Sequence, residues 1–113
     1  MMMDYKRELL KGNTECLLLC LINSQSMYGY HLIKELNKRS NGYFHFKEGT
    51  LYPALHRLEK AKLVTGNWEK SPAGQERRYY HITGKGRRAL FQKLSVWEDF
   101  STAIRAVVQP RTS

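Results

Sequence analysis

The sequence predicts a mainly α-helical domain with one small β-hairpin and a long helix at its C-terminal end. Three observations carry this. Between Lys47 and Leu63 the residues Leu51, Leu55 and Leu58 fall 4 and 3 apart, which is one stripe of a helix. Val64–Lys70 and Arg77–Thr83 read as two strands around Ser71-Pro72-Ala73-Gly74-Gln75-Glu76, a run of turn formers. From Lys85 to Val108 apolar residues recur at helical spacing beyond what a small domain needs to close its own core.

A chain of 113 residues predicts one domain with a modest core, and extra stability from self-association fits that size. With 42% apolar and 12% aromatic residues the composition is that of a folded protein rather than a disordered one. Net charge +9 and a pI of about 9.8 point to an acidic partner. Nucleic acid comes first and an anionic membrane surface second. The run Leu17–Ile22 is too short for a spanning helix and lacks the small-residue cleavage site of a signal peptide, so a cytoplasmic chain with no membrane role is expected. Cys16 and Cys20 sit four apart in an apolar run. They read as two small buried hydrophobes; a redox or metal role would want CxxC or a neighbouring histidine at ligand spacing.

Taken in order, residues 1–12 are polar and basic, with Lys6, Arg7 and Lys11. Asn13 or Thr14 is the expected cap of a first helix, with Glu15 in its first turn, where a negative charge suits the helix dipole. Cys16 to Ile22 is apolar all round, as in a helix buried on most sides. After a turn at Asn23–Ser26, a second helix is predicted from about Met27 to Arg39, on Tyr28, Leu32, Ile33 and Leu36. Gly29 is tolerable near its first turn and permits a close approach there. Ser40-Asn41-Gly42 is a stop signal. Tyr43 to Phe46 is a short strand or a connector.

The third helix is the Lys47–Leu63 stretch. Its leucine stripe seats it on a core, leaving Thr50, Tyr52, Pro53, His56, Arg57 and Lys60 outside as a polar, aromatic and cationic face suited to a DNA groove. Lys47 is a poor cap, and Pro53 removes one backbone bond. An irregular first turn is therefore expected, with amides free for phosphate. The hairpin and the turn after it carry Lys70, Arg77, Arg78, Lys85, Arg87 and Arg88 against Glu69 and Glu76. Tyr79, Tyr80, Ile82 and Trp68 are expected mostly in the core. Three helices followed by a basic hairpin is a winged helix-turn-helix plan. Gly84 and Gly86 precede the last helix, where Leu90, Leu94, Trp97, Ser101, Ile104 and Val108 form a seam that Phe100 and Val107 widen. A second copy is the simplest surface to cover it. The expected organisation is thus residues 1–84 as a winged helix-turn-helix and 85–113 as a dimerisation helix and tail.

The run GTLYPALHRLEKAKLV, preceded by YGYHLIKEL and followed by a basic hairpin end, resembles the PadR family of bacterial transcriptional regulators. The single C-terminal helix with Trp97 is similar to the compact members. The resemblance spans about residues 9 to 108. It implies a homodimer that represses transcription from a palindromic operator, with helix three in the major groove. Carried onto this chain, Thr50, Tyr52, Pro53, His56 and Arg57 face the groove, Tyr28, Lys47 and Gly49 lie on the phosphate side, and Gln75, Arg77 and Arg78 belong to the wing. Leu90, Leu94, Trp97, Phe100, Ile104 and Val107 would form the dimer interface.

Each assignment has a plainer counterpart. Arg57 reads a guanine or is a solvated arginine paired with Glu59 or with the helix of Glu15. Tyr52 meets DNA or packs on the wing. Trp97 packs the dimer or walls an effector site, where two facing indoles would sandwich a planar aromatic molecule. At the level of function, a sequence-specific repressor stands against a basic winged module that binds nonspecifically. An enzyme is a poor candidate, with no nucleophile–base pair, no phosphate loop and no metal cluster, and no cofactor is expected.

Overall fold

The structure is a computed structural model that describes residues 9–10 and 12–109; Lys6, Arg7 and Lys11 of the basic N-terminal stretch lie outside the described residues. The elements run α1 (Thr14–Ser24), β1 (Met27–Tyr28), α2 (Gly29–Arg39), α3 (Glu48–Lys60), β2 (Val64–Lys70), β3 (Glu76–Ile82) and α4 (Gly84–Val108). The strands form one antiparallel sheet in the order β1-β3-β2. This is the winged helix architecture with its C-terminal helix.

α1 is the centre, touching α2, α3, α4 and β3. Leu18, Leu19, Leu21 and Ile22 on it are buried, as its all-round apolar sequence requires. Asn13 occupies the cap position but its side chain donates to the Leu9 carbonyl at 2.7 Å rather than capping α1. α2 begins at Gly29 rather than Met27, because Met27 and Tyr28 pair with Tyr80 and Tyr79 of β3. Its end is the expected one. Asn41 and Gly42 take positive φ (54° and 79°), and the Gly42 amide donates back to Asn37 at 2.7 Å. The following segment is a connector that buries Phe46.

α3 seats Leu51, Ala54, Leu55 and Leu58 in the core. β2 and β3 pair from Val64↔Ile82 to Lys70↔Glu76 and close through a turn in which Gly74 has φ 84° and the Ser71 amide donates to the Gln75 carbonyl at 2.7 Å. Trp68 corrects the expectation that it is core, since it is 71% exposed. It shares a sheet face with buried Val64, as its spacing requires, but the hairpin has by then run past the helical body.

Thr83 caps α4, its hydroxyl accepting from the Gly86 amide at 2.9 Å, so both glycines lie inside the first turn of the helix instead of before it. Gly86 lets α4 cross the chain closely: a Cβ there would stand 2.0 Å from the Leu63 carbonyl oxygen. Leu90 then anchors α4 in the core at 2% exposure. The first turns of α4 therefore belong to the winged body, and the rest projects along a molecule 60 Å long and 25 Å across.

Candidate nucleic-acid interface

Opposite the buried stripe of α3, the residues Gly49, Pro53, His56 and Lys60 recur at spacings of 4, 3 and 4 and are all exposed. Thr50 and Arg57 flank this stripe on one side and Tyr52 on the other. No side chain caps α3 at Lys47, which is extended (φ −98°, ψ 157°). Its carbonyl takes the Thr50 and Leu51 amides at 3.0 Å each. The amides of Glu48 and Gly49 are then left to solvent or to a phosphate. Pro53 has no N–H to return to the Gly49 carbonyl, and both residues are exposed, so that oxygen is open to solvent.

The first turns of α2 and α3 meet closely. A Cβ on Gly29 would fall 2.4 Å from the Tyr52 hydroxyl oxygen, so the tyrosine rests on the glycine and remains 44% exposed. Tyr52 packs against the start of α2. Tyr28 stands beside it at the α2 cap. Its ring meets Tyr79 edge-on at 5.4 Å, with His31 at 5.8 Å and the Arg77 guanidinium over it at 5.4 Å.

The two wing arginines fall on opposite faces of β3. Arg77 is exposed, runs along the outer face and donates to the Gln75 side chain. Arg78 turns inward: it pairs with Glu59 of α3, lies over the Tyr80 ring at 5.7 Å and rests on Gly66. Arg78 thereby braces the wing against α3, with its side chain still 39% exposed. Burial raises the pKa of Tyr80 beneath it, although Arg78 acts to lower it. Arg57 donates through Nε to Glu15 Oε1 at 3.0 Å, tying α3 to α1. His81 and Glu69 pair across the hairpin.

Sequence reasoning passed over part of this surface. A cleft of about 600 Å³ opens between α2 and the wing, lined by Tyr28, His31, Lys34, Lys38, Tyr79 and Pro72 among others. The available signal was the run of cations on the outward side of α2. Lys60, in line with His56, was visible as an off-stripe residue.

Along α4, Trp97 (49% exposed), Phe100 (61%), Ile104 (45%) and Val107 (85%) are uncovered within one chain. Trp97, Phe100 and Ile104 line a groove of about 610 Å³ with Asn13 and Cys16 of the α1 end. Leu90 is removed from the expected interface because its side chain is used up in the chain's own core, and Leu94 is half-buried against that core. Cys16 and Cys20 are free thiols, half-buried rather than fully buried, beside a second apolar cavity of about 370 Å³ that also reaches Phe44 and Trp97. Burial, with Cys16 adding to it, pushes the Cys20 thiol up to about 11. Among the described residues no helix is long and apolar enough to cross a membrane, and no cluster of three His, Cys, Asp or Glu side chains is placed to hold a metal ion.

A family model described as the transcriptional regulator PadR-like family matches residues 18–92. The chain is 32% identical over 78 residues to a transcriptional regulator of Mycobacterium tuberculosis, covering 69% of each protein. In structure it is similar to a PadR-like transcriptional regulator from Bacillus cereus, with a TM-score of 0.84 and 38% identity over 92% of this chain and 99% of that one. It is also similar to a transcriptional regulator from Clostridium thermocellum, with a TM-score of 0.81 and 28% identity over 90% and 99%.

Proposed function

The chain belongs to the PadR-like family of transcriptional regulators, and on that footing we propose that it is a cytoplasmic, homodimeric repressor of a palindromic operator. The observation that carries this is the pairing of two unfinished surfaces on one small body: the exposed stripe of α3 and the uncovered apolar stripe of α4. α3 offers Thr50, Tyr52, Pro53, His56 and Arg57 to a major groove, while Lys47 and Gly49 at its start and Tyr28 at the start of α2 lie on the phosphate side. Arg77 and Gln75 extend the surface along the wing toward phosphates.

Trp97, Phe100, Ile104 and Val107 are the residues a second copy would cover. A two-fold axis there gives two copies of α3 and hence a palindrome, with half-sites about 34 Å apart or a multiple of it. The groove beside Trp97 is where a planar aromatic effector would lie, its binding transmitted to the dimer geometry. Quenching of Trp97 fluorescence by planar cationic dyes tests that part; no quenching by any of them, with DNA binding intact, removes the effector from the scheme.

Selection of bound sequences from a random DNA pool tests the main reading. The expected result is an enriched palindrome bound about 10³-fold more tightly than scrambled DNA. Equal binding of both, carried by the +9 charge alone, would replace it with a nonspecific basic module.

A further inference from the structure

We propose that Glu15 is a positioning residue for DNA recognition, holding Arg57 so that its terminal nitrogens are presented to a guanine. The inference rests on reading α3 as the groove-facing helix. Arg57 projects from the flank of the exposed stripe, beside Thr50, and its side chain is 60% exposed. Glu15 reaches it from α1, 42 residues earlier in the chain, and takes only the Nε hydrogen, at 3.0 Å. A guanidinium has five N–H donors. The bond to Glu15 leaves the four on the terminal nitrogens, and the O6/N7 edge of a guanine needs two of them.

Stability does not explain the pair. The Arg57 side chain is 60% exposed and that of Glu15 34%, and ion pairs at the surface stabilise little. Attraction to DNA does not explain it either, because a carboxylate at the edge of a phosphate-binding surface weakens binding to every sequence. What the contact supplies is order. A free arginine gives up rotamer freedom when it binds, and one already held by its Nε gives up less. The carboxylate also fixes the plane of the guanidinium, which sets the direction of its fork. Leu18 and Leu19 of α1 are wholly buried. Glu15 therefore projects from a helix that is itself fixed in the core.

The test uses the full-length protein and the palindrome recovered from the random pool, with each base pair of a half-site varied in turn. Arg57→Ala identifies the base pair that Arg57 reads. Glu15→Ala is expected to flatten the preference at that same base pair by about tenfold, within the range a bidentate contact supplies, while binding to scrambled DNA stays equal or tightens. Glu15→Lys, a second variant without an acceptor, is expected to flatten the same position and to tighten scrambled binding further. Glu15→Gln keeps an acceptor oxygen without the charge and is expected to restore most of the preference. If the Ala and Lys variants bind all sequences more tightly with every base preference intact, Glu15 is only a repulsive charge and the proposal fails. Flattening at a different base pair overturns it equally. A wild-type protein with no preferred sequence fails earlier, and that failure belongs to the repressor reading itself.

Discussion

Gly29→Ala separates the stability of the winged body from its grip on DNA. The new methyl group would arrive 2.4 Å from the Tyr52 hydroxyl oxygen, 2.7 Å from Cζ and 2.9 Å from Cε1. All three atoms belong to the far end of one side chain, and Tyr52 is 44% exposed. The ring can therefore leave by rotating outward, and the backbone need not move. Leaving costs about 1 kcal/mol if the ring ends in a poorer rotamer. It also costs about 1 kcal/mol of half-buried apolar contact. Replacing glycine in a helical turn returns about 0.7 kcal/mol through the unfolded chain. The net loss is about 1 kcal/mol, or roughly 4 °C in melting temperature for a domain of this size. DNA binding should suffer more. If the Tyr52 hydroxyl donates to a phosphate, its displacement removes a bond to a charged group, about 1.5 kcal/mol, or roughly tenfold in Kd. Thermal melting and fluorescence-anisotropy titration of the operator, at one protein concentration, measure the two effects. Tyr52→Phe serves as the control that keeps the ring on Gly29 and removes only the hydroxyl. A Gly29→Ala protein with wild-type affinity would refute the placement of Tyr52 on DNA. A melting point lower by 15 °C or more would refute the argument that only a side chain has to yield.

Gly86→Ala is the contrasting case, because its Cβ would meet the Leu63 carbonyl at 2.0 Å and Ile82 Cγ1 at 2.8 Å; overpacking against backbone should cost about 3 kcal/mol, seen as a fall of roughly 12 °C in melting temperature. Trp97→Asp puts a charge into the uncovered stripe of α4 and should give a monomer by sedimentation with its helical circular dichroism retained; a surviving dimer would place the interface elsewhere. Arg77→Ala should weaken binding to all DNA sequences alike and lower the salt slope by about one. Arg78→Ala should instead lower the melting temperature and change the salt slope little, since Arg78 is held by Glu59. Cys20, with its thiol pushed up to about 11 by burial, should react slowly with iodoacetamide at pH 8, and its rate should climb as pH rises toward 11, where the thiolate forms.

Much of the fold was legible because its signals are local. Asn41-Gly42 ends α2 with two positive φ angles that few other residues accept. The leucines of α3 mark its buried side, and four of its outward residues follow as the complement. The hairpin pairing was legible from its turn formers and alternation. Trp68 was misplaced because alternation reports which face of a strand a residue occupies, not whether anything covers that face. Leu90 was misplaced for a similar reason. The apolar stripe of α4 runs unbroken from Leu90 to Val108, and periodicity alone does not mark where the chain's own core stops and an open surface begins.

Charge was the least legible property, and α3 shows why. A carboxylate braces each flank of that helix: Glu59 on it holds Arg78 of the wing, and Glu15 of α1 holds Arg57. These partners lie 19 and 42 residues apart in sequence, so no local pattern announces them. Counting arginines near the groove therefore overstates the cations free to meet phosphate, and the net charge of +9 does not say which of them are free. Arg77, Lys47 and Lys60, with Lys34 and Lys38 on α2, carry no carboxylate contact of this kind among the described residues. The braced pair and the open set have different physical roles. The open cations attract any nucleic acid, and their effect falls with salt. The braced arginines are oriented instead: Glu59 ties Arg78 of the wing to α3, and Glu15 sets the direction of the Arg57 fork, and a cation whose direction is set can read a sequence rather than merely adhere to it.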